Sequence, residues 1–271
     1  MEIIKMTQDE FDMISSHIQR QYGINLAKKK DLIESRLHSS LVSGGYKSFS
    51  DYFDFVFSDV RGAEIVKLVD KITTNHTYFF REPKHFEYLR SEILPWVLKN
   101  EPSRDLRIWS AGCSSGEEPY TLAMIIDDFF KSVFERWDTS ILATDLSTKA
   151  LETAKIGLYP KQALENIPPD WARKYFTADG DSVVISEAIR RQVIFRRFNL
   201  MENYLPFRKK FHVILCRNVM IYFDKKTKDE LVDRFYNITE PGGYLFIGHS
   251  ESLVREDTRY KYIMPAIYRK L

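Results

Sequence analysis

Apolar positions along the chain change period once, and that change divides it. Through residues 7–73 they recur at helical spacing. Thr7, Gln8, Asp9 and Glu10 form a capping box ahead of Phe11, Ile14 and Ile18. A second helix over 27–42 carries Ile33, Leu37 and Leu41 on one face and stops at Gly44 and Gly45, and residues 48–58 and 63–73 supply two more. No strand pattern interrupts them, which predicts an all-helical front domain. The connecting stretch 73–81, TTNHTYFFR, places three aromatics in a row among polar groups. Linkers rarely do so, and the stretch is expected to pack against the larger C-terminal unit.

After a further predicted helix over 83–99, short apolar runs appear. Residues 106–111 read as a buried parallel strand and lead into a small-residue turn, Gly112 to Gly116. A helix over 118–134 comes next, with Pro119 in its first turn, where the missing N–H costs nothing. Runs at 140–144, 193–198, 211–215 and 244–248, the helix over 225–238 and a closing pair at 262–265 and 266–270 complete about seven strands in β-α alternation. Between 157 and 196 the pattern loosens around Pro160, Pro168, Pro169 and the Asp179-Gly180-Asp181 turn. Runs at 182–186 and 192–196 suggest an inserted small sheet with exposed edges. The expected domains are residues 1–82, helical with the connecting segment; 83–271, an α/β unit; and 157–196 inserted within it.

Composition narrows the chemistry. With 271 residues, 44% hydrophobic, and a net charge of +2, the chain is large enough for two cores and too weakly basic for nucleic acid as main partner. No apolar run spans a membrane, and a soluble cytoplasmic protein without membrane insertion is expected. Two cysteines without metal-ligand spacing argue against a structural metal.

Polar residues gather where the apolar strands end: Glu118, Asp145, Asn199, Asn218 and the His249-Ser250-Glu251 group. In an open α/β sheet that edge is where ligands bind. The turn after the first strand lacks both G-x-G-x-x-G and the phosphate cradle, and Glu117 and Glu118 disfavour an anionic ligand. A ligand with a cation, an amine and a ribose diol fits better, and S-adenosylmethionine has all three. Asp145, at the end of the second strand, is placed to accept ribose hydroxyls or to cap the helix starting near Ser147. His249, Ser250 and Glu251 have no G-x-S-x-G turn beside them and read as contacts at a strand end.

In this order and spacing, TTNHTYFFRE, WSAGCSSGEEPYTLA, LATDLS, NL, CRNVMIYFD and GYLFIGHSE closely resemble the chemoreceptor glutamate methyltransferases of bacterial chemotaxis, over nearly the whole chain. The resemblance implies a class I (Rossmann-like) methyltransferase sheet of seven strands, S-adenosylmethionine as methyl donor with S-adenosylhomocysteine as product, and receptor glutamates as acceptors. It implies that Asn75, Thr77 and Arg81 meet the methionine end of the cofactor. Glu118 would take the amino group, although sequence leaves Glu117 open in its place. Asp145 would take the ribose, Asn199 and Leu200 would surround the adenine, and Asn218 and Val219 would form the crevice floor. Tyr222 would stand near the transferred methyl, and Arg81 would hold the acceptor carboxylate or the cofactor geometry, which makes these two the expected catalytic residues. Lys29 and Arg36, seven apart on the basic second helix, would dock on the acidic methylation helices of receptors. In some family members the inserted sheet grips a receptor's C-terminal tail peptide. The competing readings are a methyltransferase with another acceptor and a non-catalytic signalling module.

Overall fold

The computed structural model describes residues 4–27, 29–60, 62–73 and 76–271. Four helices open the chain: α1 Gln8–Tyr22, α2 Lys30–Gly44, α3 Phe49–Ser58 and α4 Ala63–Ile72. The capping box forms as expected, Thr7 Oγ1 accepting from Glu10 N and Glu10 Oε2 accepting from Thr7 N at 2.7 Å. Ile14, Ile18, Ile33, Leu37, Phe53 and Leu68 close this core without solvent exposure. The second helix starts later than its sequence pattern, so Lys29 is its N-cap residue rather than part of its face.

The predicted helix over 83–99 is three pieces: α5 Pro83–Tyr88, a π-helical turn Leu89–Ile93 and α6 Leu94–Asn100. Pro95 is the reason. It cannot donate to the preceding turn and its ring crowds that turn's carbonyl, which the wider π turn accommodates. Then come β1 Ile108–Ala111, α7 Glu117–Phe130, β2 Ile141–Asp145 and α8 Thr148–Ile156. The insertion holds β3 Leu158–Pro160, α9 Pro169–Tyr175, β4 Phe176–Asp179, β5 Ser182–Ile185 and α10 Glu187–Arg190. The main unit resumes with β6 Val193–Arg197, β7 Phe211–Cys216, α11 Lys225–Ile238, β8 Thr239–Ile247, β9 Lys261–Met264 and β10 Ile267–Arg269.

Seven strands form one sheet in the order β6-β2-β1-β7-β8-β10-β9. The first five are parallel, and β10 runs antiparallel to both its neighbours. Every residue of β7 is buried, because Val213 and Leu215 feed the core on one face of the sheet while Ile214 and Cys216 feed the other. That two-sided burial explains a continuous apolar run instead of an alternating one.

One expectation is corrected. The run at 192–196 does not belong to the inserted sheet: β6 pairs in parallel with β2, Ile141 opposite Val193 through Asp145 opposite Arg197. Val193 and Phe195 pack into the main core, while Ile194 faces outward, as at a sheet edge. The inserted sheet is instead β3-β5-β4, all antiparallel. The described part of the connecting segment packs as expected against the larger unit. Phe79 is fully buried there, edge-on to Tyr159 of β3 and Phe176 of β4 at 5.0 and 5.3 Å.

The helical domain sits over the carboxyl edge of the sheet. Asn25 N donates to Tyr222 O at 2.7 Å, Asn199 Nδ2 to Gln21 O at 2.8 Å and Gln19 Nε2 to Asp224 Oδ2 at 2.9 Å. Gly23, which ends α1 at φ +71°, lies so close that a Cβ would come within 2.5 Å of Met201 Sδ. This docking roofs the strand ends and creates the site.

Candidate active site

A cleft of about 1100 Å³, open solvent included, lies between the strand ends and the helical domain. Its walls include Thr77 and Arg81 from the connecting segment and Glu118, Asp145, Asn199 and Leu200 from the sheet edge. Arg217, Asn218, Val219 and Tyr222 line it from the loop after β7, and Tyr22 and Asp70 from the helical domain. Of the residues expected here from sequence, only Asn75 lies outside the described residues.

The turn after β1 sets the close approach. Gly112 has φ +100°, and a Cβ on it would fall 2.4 Å from Val219 Cγ2, so a side chain would push the two walls apart. Ser114, at φ 47°, turns its N–H onto Asp145 Oδ2 at 2.8 Å, and Ser147 N donates to Oδ1 at 2.8 Å. Burial pushes the Asp145 carboxyl up, against the downward pull of those N–H groups.

The two adjacent acids separate clearly. Glu118 lines the cleft; Glu117 turns away beneath the turn, accepting from Ser115 Oγ at 2.7 Å. Glu118 accepts from Ser110 Oγ at 2.7 Å and from Arg217 Nη1 at 3.0 Å, and burial raises its carboxyl while Arg217 opposes the rise. Arg217 also donates through Nε and Nη2 to Glu82 Oε2, at 3.3 and 3.1 Å, and through Nη2 to the carbonyl of Arg81.

Sequence reasoning misses Arg217 and Glu82. The available signal is a charged residue directly after a fully buried, mostly apolar strand, a position that here puts the guanidinium inside the protein. For Glu251 the sequence predicts only a contact at a strand end, and the structure makes that contact specific. Its carboxylate accepts from Asn218 N and Ile221 N, each at 3.0 Å, and from Gly248 N at 2.5 Å, which holds Asn218 at φ 59°.

Arg81 Nη1 donates to His76 O at 2.7 Å, and its guanidinium lies 5.9 Å from the Tyr78 ring centre. The Tyr222 ring sits on a one-turn 3₁₀ helix, Met220–Tyr222, with Lys29 Nζ 5.1 Å from its centre. The expected pairing of Lys29 with Arg36 on one helix face is not what the backbone builds. Arg36 Nη1 donates to the carbonyls of Ile72 and Thr73 at 2.8 and 3.0 Å, closing the end of α4.

Among the described residues, Glu82, His85 and His249 bring three possible metal-ligand atoms within 4.8 Å. Both Glu82 oxygens are already engaged there, Oε2 by Arg217 Nη2 at 3.1 Å and Oε1 by the His249 N–H at 3.0 Å, which leaves the carboxylate poorly placed to ligate a metal. Burial, with Arg217 second, pushes His85 down to about 3, leaving it neutral.

The donor set therefore offers anionic acceptors at two separated points, with an apolar floor of Leu200 and Val219 between a glycine turn and a roof. This suits a ligand bearing an ammonium at one end and a ribose diol at the other. The strand order with its antiparallel penultimate strand, together with that cleft, is that of a class I S-adenosylmethionine-dependent methyltransferase.

Residues 75–268 match the family described as CheR methyltransferase, SAM binding domain, and residues 9–73 match its all-alpha domain. The chain is 43% identical over 272 residues to the chemotaxis protein methyltransferase of Borreliella burgdorferi, covering 98% of this chain and 96% of that protein. It is 37% identical to chemotaxis protein methyltransferase 1 of Pseudomonas aeruginosa, covering 94% of each. Against the chemotaxis protein methyltransferase of Escherichia coli the identity is 34%, over 96% of this chain and 90% of that one. The chain belongs to the CheR methyltransferase family. Among the described residues, no helix is long and apolar enough to cross a membrane.

Proposed function

We propose that the protein transfers a methyl group from S-adenosylmethionine to glutamate side chains of bacterial chemoreceptors, forming methyl esters during chemotactic adaptation. The observation that carries this reading is the convergence of Arg81 and Tyr222 with the two half-buried acceptors Glu118 and Asp145 on one cleft. The chemotaxis relatives support the choice of acceptor.

When bound, the cofactor supplies an electrophilic methyl on a sulfonium. Glu118 holds the amino group and Asp145 the ribose hydroxyls; Asn199 and Leu200 flank the adenine. Asn75, Thr77 and Arg81 meet the methionine end, and Asn218 and Val219 form the floor. A glutamate carboxylate, with a reference pKa near 4.3, is already ionised at neutral pH, so no side chain has to remove a proton from it. The protein's task is to orient that carboxylate in line with the methyl and exclude water. Tyr222 directs the incoming oxygen by hydrogen bonding, and Arg81 orients charge at the reacting end without a tight ion pair to the attacking atom.

Lys29, half-buried against the Tyr222 ring, meets the acidic methylation helix that carries the acceptor. Arg36 supports this surface from behind by holding the end of α4. The edge strand β4, exposed from Thr177 to Asp179, offers unpaired backbone to a receptor's C-terminal tail peptide.

Incubation with methyl-labelled cofactor and chemoreceptor-rich membranes tests the reading. Alkali-labile label on receptor polypeptides is expected. Alkali-stable label, or none on receptors, would refute glutamate esterification.

A further inference from the structure

Arg217 is the most completely enclosed charge at the cleft, with its side chain 2% exposed. It leaves the end of β7 and lies 5.2 Å from the Phe86 ring centre. Its donors reach three places at once: Glu118 on α7, Glu82 just ahead of α5, and the carbonyl of Arg81. Arg81 and Glu82 are neighbours in one segment and Glu118 stands on another, so the guanidinium ties two parts of the cleft's surroundings together. Ser110 satisfies the other oxygen of Glu118 at 2.7 Å, so that carboxylate is fixed from two sides.

The charge count matters as much as the geometry. Glu82 and Glu118 bring two negative charges against one guanidinium, and the neighbouring His85 stays neutral. The cluster carries one net negative charge and matches one ammonium. Without the guanidinium, two carboxylates would share a poorly hydrated space. One would take up a proton, because like charges disfavour joint ionisation.

We propose that Arg217 is a positioning residue for the cofactor's amino-acid end, holding Glu118 as an oriented anion and pinning the segment that carries Arg81. This rests on the proposed role of Glu118 as acceptor for the amino group. It predicts a selective defect. Ligands with the amino-acid end lose affinity, while ligands with only the adenosine end do not.

The test is calorimetric titration of full-length protein with S-adenosylhomocysteine and with methylthioadenosine, which lacks the amino-acid end. Arg217→Met is expected to weaken S-adenosylhomocysteine by about 30-fold or more and methylthioadenosine by less than about 2-fold. Its residual S-adenosylhomocysteine affinity should rise between pH 6 and 8.5, as the carboxylates ionise, more steeply than in wild type. Glu82→Gln, nearly isosteric, cancels the net charge without emptying the site, and should show the same ligand selectivity if Arg217→Met does not fold.

Equal weakening of both ligands in both variants would reduce Arg217 to a scaffold contact and overturn the proposal. So would wild-type S-adenosylhomocysteine binding by Arg217→Met. Wild-type binding of that ligand by Glu118→Gln would instead overturn the reading of Glu118 on which the proposal stands.

Discussion

The two anionic points of the cleft are built on opposite principles. Among the described residues, Asp145 is held through the backbone N–H groups of Ser114 and Ser147, each at 2.8 Å. Glu118 is held by side chains, Arg217 and Ser110, that arrive from other elements. Both carboxyls are pushed up by burial, so both sites carry a desolvation cost that their partners offset. The difference teaches where each end is vulnerable. A backbone cradle survives substitution of its side chains as long as the turn keeps its shape, whereas a side-chain network fails when one member is removed.

That contrast can be broken or sharpened experimentally. The largest effect is expected from Arg81→Ala at the amino-acid end, which should lower kcat/KM for receptor methylation by about 100-fold or more, through both kcat and the cofactor KM. Wild-type steady-state rates in that variant would remove Arg81 from the machinery. Next, Asp145→Ala should weaken S-adenosylhomocysteine and methylthioadenosine alike, by roughly 30- to 100-fold in calorimetry, since both carry the ribose. A loss confined to the first ligand would place Asp145 at the wrong end.

A pH series gives a smaller, graded effect. Each carboxyl must be ionised to accept from the ligand, and each titrates above its ordinary range. S-adenosylhomocysteine affinity should therefore fall as pH drops from 7 towards 5, by about 3- to 10-fold. A dissociation constant that stays flat across that interval would contradict the part played by these anions. Smallest is Lys29→Glu beside the Tyr222 ring: a rise of about 2- to 5-fold in receptor KM, fading with added salt and leaving cofactor affinity unchanged. If the effect is insensitive to ionic strength, docking there is not electrostatic.

The same division explains how much of the site is legible before folding. Asp145 is legible because its position depends on local order: an apolar strand, then an acid, then a helix start. Asn199, Asn218 and Tyr222 are found through motifs, and the structure places them along the cleft. The choice between Glu117 and Glu118 is not legible, because adjacent residues at a helix start point about 100° apart and only the surrounding walls say which faces the ligand. Residues 192–196 suggest the inserted sheet because a short apolar run does not state its partner strand. Helical spacing groups Arg36 with Lys29, and spacing cannot register a carbonyl 36 residues away.

By itself, then, the order of residues determined most of the elements of the main sheet, the helical front domain, the parallel sheet with an acceptor-bearing edge, and the family. These depend on periodicity, capping and turn chemistry, which act over a few positions. Tertiary structure alone decided the roof over the strand ends and the Glu82–Arg217–Glu118 network. It also decided which face each acid presents. Those features join groups about a hundred residues apart in the chain, as Arg217 and Glu118 are, and hydrogen bonds and burial become defined only once the sheet has brought them within a few ångströms.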